Sequence, residues 1–409
     1  MVPTIDQNAV VGSSFDLFNL PETYYDNPYP FFKELRDNDP LHWNSDGSVL
    51  LTRYADVKAV WRDLSGVVNR EATYGAKFGE GPLLEHHTSS MLFRDPPDHD
   101  RLRDIINPFF TQSAIGDLRN SVEQIVQNLL DEVDGKKEID FVKDFSSLIP
   151  IKLICDLFGV PREEGPKIRD FGASVLLPLN PAVSAEVVQA GHEGTKGFME
   201  FLRPYVREWQ SRPAEEKPSN IISGMVAAQK GGQEISDDEI IHMCIVVLNG
   251  GHETTTNLLG LSTLALMEHR DQFERLAEDP QIVGSAIEEC LRYATPLQLQ
   301  GRRTTREITI PCGVVPPDTE IIIAQAAANR DDRVFDEPNR FDIGRRPNPH
   351  LAFGAGIHVC LGRPLARLEA AITLPMLVRR FPNLQLVGKP EFNRNARFRG
   401  IKSMVVSLD

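Results

Sequence analysis

Apolar residues recur every three to four positions through residues 121–133, 151–158, 197–209, 239–268, 283–293 and 365–381, a period that predicts helices. Short β-branched or alternating runs at 49–53, 308–310, 320–324 and 404–408 predict a few brief strands. The expected fold class is therefore mainly α with a small β region. Proline marks two irregular places: Asp95-Pro96-Pro97 ahead of a helix, and the stretch 329–349.

The helix from Asp237 to Glu268 is the most informative element. Ser236 and Glu239 have the spacing of a capping box and fix its start. Thirty residues of helix reach roughly 45 Å, enough to cross the molecule. Its centre reads Asn249-Gly250-Gly251-His252-Glu253-Thr254-Thr255-Thr256. Each glycine there costs about 1 kcal/mol against alanine, and the threonines lose rotamer freedom. Such a weak centre serves either close approach to a ligand or close helix packing.

No linker or repeat divides the 409 residues, and one domain over 1–409 is expected. The net charge of −14 disfavours nucleic acid, whose phosphates need clustered Lys and Arg. No run approaches the ~20 apolar residues of a membrane span, and Met1–Leu20 has no basic start or apolar stretch. The expectation is a cytoplasmic protein without a membrane anchor. The five cysteines, Cys155, Cys244, Cys290, Cys312 and Cys360, form no C-x-x-C pair, so a cysteine with chemistry acts alone.

Cys360 is the candidate. It lies in Phe353-Gly354-Ala355-Gly356-Ile357-His358-Val359-Cys360-Leu361-Gly362, just before a helix. Glycines let the backbone turn N–H groups toward the sulfur, and the positive helix end also favours a thiolate. Such a sulfur is a metal ligand or a nucleophile.

This segment resembles the haem-binding signature F-G-x-G-x-H-x-C-x-G of the cytochrome P-450 family at every fixed position. The resemblance implies a triangular, mostly helical prism, haem b (iron protoporphyrin IX) as cofactor, and Cys360 as proximal ligand to its iron. Thiolate donation of this kind promotes O–O cleavage on the opposite face.

Other motifs extend the resemblance over nearly the whole chain. Glu289-Cys290-Leu291-Arg292 is similar to the family's E-x-x-R, and Pro338-Asn339-Arg340-Phe341 to its P-x-R-F. Glu289, Arg292 and Arg340 are then scaffold, with Arg340 as third partner. Gly250-Gly251-His252-Glu253-Thr254 is similar to A-G-x-[DE]-T, with glycine where alanine is usual. Thr254 is thereby implied as the hydroxyl, and Glu253 as the acid, of a relay carrying protons to bound dioxygen. His99, Arg103, Arg302 and His358 match donors to the haem propionates, with Arg303 open as a replacement for Arg302.

The resemblance implies insertion of one atom of O2 into a small hydrophobic substrate. Electrons come from NAD(P)H through a separate ferredoxin and ferredoxin reductase, received on Arg103, Arg345, Arg346, Arg363 and Arg367. A haem-thiolate peroxygenase or isomerase, and a haem-based sensor or binding protein, remain alternatives. Val246, Asn249, Gly250 and Thr254 share one helix face. With Leu297 and Leu299 they should form the substrate pocket. Asn249 then either hydrogen-bonds a polar group on the substrate, or an ordered water beside it, or bonds a carbonyl one turn back in its own helix.

Overall fold

The computed structural model describes residues 15–63, 66–68 and 71–409; residues 1–14 of the N-terminal stretch read above lie outside them. Helices form at each place the apolar period marks, mostly extended by a few residues: Arg119–Val133, Leu148–Phe158, Val283–Ala294 and Arg363–Arg380. The period at 197–209 belongs to a longer helix, Ala185–Ser211, capped by the Ser184 hydroxyl. Its first half is polar and carries little period of its own.

The strands at Val49–Leu51, Ile308–Ile310, Glu320–Ala324 and Val405–Ser407 lie where the sequence puts them. The main sheet runs Leu41–Trp43, Val49–Leu51, Glu320–Ala324, Leu299–Thr304, Gly66–Val67. Only the Val49–Leu51 and Glu320–Ala324 pairing is parallel. Leu299–Thr304 gives no strand signal, because its sequence is LQGRRT. Its tertiary neighbours make it a strand.

The 32-residue helix Asp237–Glu268 forms the spine. Its predicted capping box is present: the Glu239 N–H donates to the Ser236 hydroxyl at 3.1 Å, and the Ser236 N–H to the Glu239 carboxylate at 2.8 Å. The helix packs against Leu148–Phe158, Gly165–Leu176, Ala185–Ser211, Val283–Ala294 and Arg363–Arg380. The two glycines of its weak centre differ in their surroundings. A Cβ on Gly251 would stand 2.7 Å from Ile154, whereas one on Gly250 would meet nothing within 4 Å.

Glu289 and Arg292 are fully buried, and the guanidinium grips both carboxylate oxygens at 2.7 and 2.8 Å. The assignment of Arg340 as third partner is corrected. Arg340 gives only its backbone carbonyl to Arg292, and its side chain turns out to Glu337. The Asp342 N–H donates to Glu289 at 3.0 Å, and the chain then doubles back to set Arg345 3.2 Å from Glu289. Arg345 is thus mostly buried scaffold and is removed from the partner-facing set. Among the described residues, no helix is long and apolar enough to cross a membrane.

Candidate active site

The loop 353–362 is tight because its glycines permit it. Gly354 and Gly356 have φ of +68° and +74°, and a Cβ on Gly356 would lie 2.4 Å from the Trp61 carbonyl oxygen. The Cys360 N–H donates to the Phe353 carbonyl at 2.9 Å. The sulfur therefore stands just ahead of the helix Arg363–Arg380, capped by Gly362. Burial pushes its thiol up. The Gly362 N–H, the Arg103 and Arg363 guanidiniums and the Arg363 N–H pull the other way. These donors are ready for an anionic sulfur, and a bound cation removes the proton outright.

One cavity joins Cys360 to the long helix. It holds about 1850 Å³ of empty space, part of it open to solvent, with Cys360, Leu361 and Leu365 on one wall and Val246, Asn249, Gly250 and Thr254 on another. Its lining is mostly apolar with a few polar groups gathered on it, the usual character of a small-molecule site.

Cationic and N–H donors gather at its edge. Arg103, Arg302 and His358 line the cavity. His99, 2% exposed, stacks edge-on against His358 with ring centroids 4.3 Å apart. The Nε2 atoms of His99 and His358 are buried without a hydrogen-bond partner among the described residues. Asp95 lies 3.9 Å from His358, too far for a hydrogen bond. A buried polar atom left so costs about 1–3 kcal/mol, which a ligand carrying carboxylates would recover. The donor set fits haem and its two propionates.

Strand register explains which neighbour turns inward. Along Leu299–Thr304 successive side chains point to opposite faces. Gln300 and Arg302 face the cavity, while Arg303 turns out to Asp318 and Thr73. The same alternation removes Leu299 from the expected pocket. It packs with Phe15, Leu50 and Ala324 in a separate core. Leu297, just ahead of the strand, does line the cavity.

The Thr254 hydroxyl donates to the Gly250 carbonyl at 2.6 Å. Glu253, one position back, is not on the cavity wall, and burial pushes its carboxyl up to about 7. Asn249 lines the cavity with both amide atoms lacking partners among the described residues, so the bond to its own helix is not made. Its oxygen fills the place a Cβ on Gly172 would take, 2.6 Å away. Sequence reading missed Glu369. It lines the cavity, is 1% exposed, keeps one oxygen without a partner among the described residues, and is pushed up to about 8 by burial. The signal was available: a carboxyl among Leu365, Ile372 and Thr373 on one buried helix face.

The cytochrome P450 family model matches residues 17–396. A cytochrome P450 of Bacillus subtilis (strain 168) is 35% identical over 396 residues, 94% of this chain and 95% of that protein. The vitamin D(3) 25-hydroxylase of Pseudonocardia autotrophica is 34% identical, covering 96% of each chain. The crystal structure of P450BioI in complex with hexadec-9Z-enoic acid ligated acyl carrier protein superposes with a TM-score of 0.89 at 30% identity, over 95% of this chain and all of that one. The chain belongs to the cytochrome P450 family. It is an oxidoreductase of the monooxygenase kind, and its family is built around haem.

Proposed function

We propose that the chain works as one domain and as a haem b monooxygenase that inserts one atom of O2 into a mainly hydrophobic small molecule. The observation that carries this is the single cavity walled by Cys360 on one side and Thr254 on the other. Haem bound there supplies the iron that activates dioxygen. Cys360 would hold the iron, and Arg103, Arg302, His358 and His99 the propionates. Thr254 presents a hydroxyl to the cavity. Glu253 and Glu369, held near 7 and 8, keep protons available at neutral pH, where acid–base groups work best. Val246 and Leu297 grip an apolar body, and the Asn249 amide takes a polar group on it.

Electrons would come from NAD(P)H through a ferredoxin and its reductase, in the cytoplasm. The Cys360 face supports this. A groove there is lined by Arg103, Arg119, Arg363 and Arg367, of which Arg119 is paired with Glu123 and Arg367 with Glu288; its cationic lining suits an acidic carrier. The test is turnover under ¹⁸O2 with NADH, ferredoxin and ferredoxin reductase against a library of hydrophobic compounds. Product carrying one ¹⁸O atom is expected. Product formed equally well without O2 or without the electron chain would overturn the proposal.

A further inference from the structure

A line of polar groups runs from the surface to the cavity. Glu85 and His86 sit on the helix Pro82–Ser89, and His242 on the long helix facing it. Glu85 is about half exposed, while His242 and His86 are 1% and 2% exposed. The Glu85 carboxylate lies 3.3 Å from His242 Nε2, and His242 Nδ1 lies 3.4 Å from His86 Nδ1. His86 is on the cavity wall, as is Asn249.

The direction of these bonds follows from what each group can do. A carboxylate only accepts, so His242 Nε2 carries the hydrogen. Burial holds both imidazoles below the ordinary histidine range and hence neutral, with one N–H each. His242 Nδ1 is then a lone pair, and His86 Nδ1 must donate to it. His86 Nε2 is left as a lone pair, an acceptor with no hydrogen to give. His87, its neighbour, also lines the cavity, but its Nδ1 donates to the Leu83 carbonyl and its Nε2 is buried.

We propose that Glu85 and His242 fix His86 as an acceptor in the substrate cavity, so that the enzyme prefers substrates carrying an O–H group over the matching ketones. This rests on the cavity being the substrate site of a haem monooxygenase. Asn249 cannot supply the preference, because an amide both donates and accepts. Alone it would take alcohol and ketone alike.

The test is titration of the haem-loaded protein, read from the Soret band, with three matched pairs: cyclododecanol and cyclododecanone, 2-adamantanol and 2-adamantanone, testosterone and androstenedione. The alcohol should bind more tightly, by about fivefold for one net hydrogen bond. His86→Phe keeps the ring and removes the acceptor; Glu85→Ala leaves the wall intact and frees the His242 tautomer. In both, the alcohol should lose affinity and the ratio fall toward one. No alcohol preference in the wild type across all pairs, or a preference that survives either variant, overturns the proposal. The reduced CO spectrum of the same samples keeps the two claims apart. A thiolate-type band without alcohol preference sinks only this inference, and a histidine-type band sinks the haem-thiolate reading.

Discussion

The Thr254 hydroxyl donates to the carbonyl of Gly250, one turn back, at 2.6 Å. That bond holds the oxygen against the helix and presents it along the cavity wall. Thr254→Ala should bind haem and substrate as the wild type does, because side-chain bonds of this kind add little to helix stability. Product per NADH should fall severalfold, with the electrons recovered as hydrogen peroxide. Unchanged coupling would remove Thr254 from proton handling.

Cys360 carries the iron assignment. The reduced CO complex should show the strongly red-shifted Soret band of thiolate ligation. Cys360→His should abolish it while leaving the long helix folded by circular dichroism. A wild-type band at the position of histidine-ligated haem would contradict the assignment.

The buried cluster at Glu289 separates two arginines five residues apart. Removing Arg345 takes one of two guanidiniums from a fully buried carboxylate that Arg292 still holds, so the loss should be about 1.5–3 kcal/mol, that of a hydrogen bond to a charged group. Arg340 is paired only at the surface, and its loss should stay within about 0.5 kcal/mol. Chemical denaturation of Arg345→Ala and Arg340→Ala tests this ordering; equal losses would refute it.

Glu369 links folding to pH. Burial raises its carboxyl from 4.5 in the open chain to about 8. Protonation therefore favours the folded state. The benefit is complete below about 4.5 and is lost as pH rises through about 8. Wild-type stability should fall across that window by up to roughly 1.4 kcal/mol per pH unit. Glu369→Gln, which cannot ionise, should flatten the slope. Parallel slopes for the two proteins in thermal unfolding would show that Glu369 does not titrate there.

Asn249 makes a thermodynamic claim in the opposite sense. Its amide is buried with no partner among the described residues, so Asn249→Ala should leave the free protein as stable or more so. The same change should weaken oxygenated ligands several-fold and their deoxygenated analogues little. Equal weakening of both would make Asn249 a packing residue.

What the sequence disclosed follows from the range of each signal. Ser236 and Glu239 are three residues apart, and Cys360 lies within a short run of glycines, so helix start and ligand loop were both readable from local spacing. Arg302 is suggested by the family resemblance, yet the choice over Arg303, and the exclusion of Leu299, rest on the register of a strand with no strand-like composition. Arg345 escaped because the motif pointed to Arg340, and only the fold of 329–349 shows which guanidinium comes back. His86 and His242 are 156 positions apart; nothing local couples them, and their meeting is a product of helix packing.

The adjacent glycines of the long helix divide two kinds of freedom between them. Gly251 is crowded, since a Cβ there would push the Ile154 Cδ1 methyl aside, whereas Gly250 opens onto empty space. Chamber size can therefore be tuned at one position without loosening the spine. A library seeking altered substrate scope should randomise 250 through alanine, serine and valine and hold 251 fixed. Each added carbon at 250 subtracts volume beside Thr254, so the expected drift is toward slimmer molecules and changed regiochemistry, with thermal tolerance nearly constant.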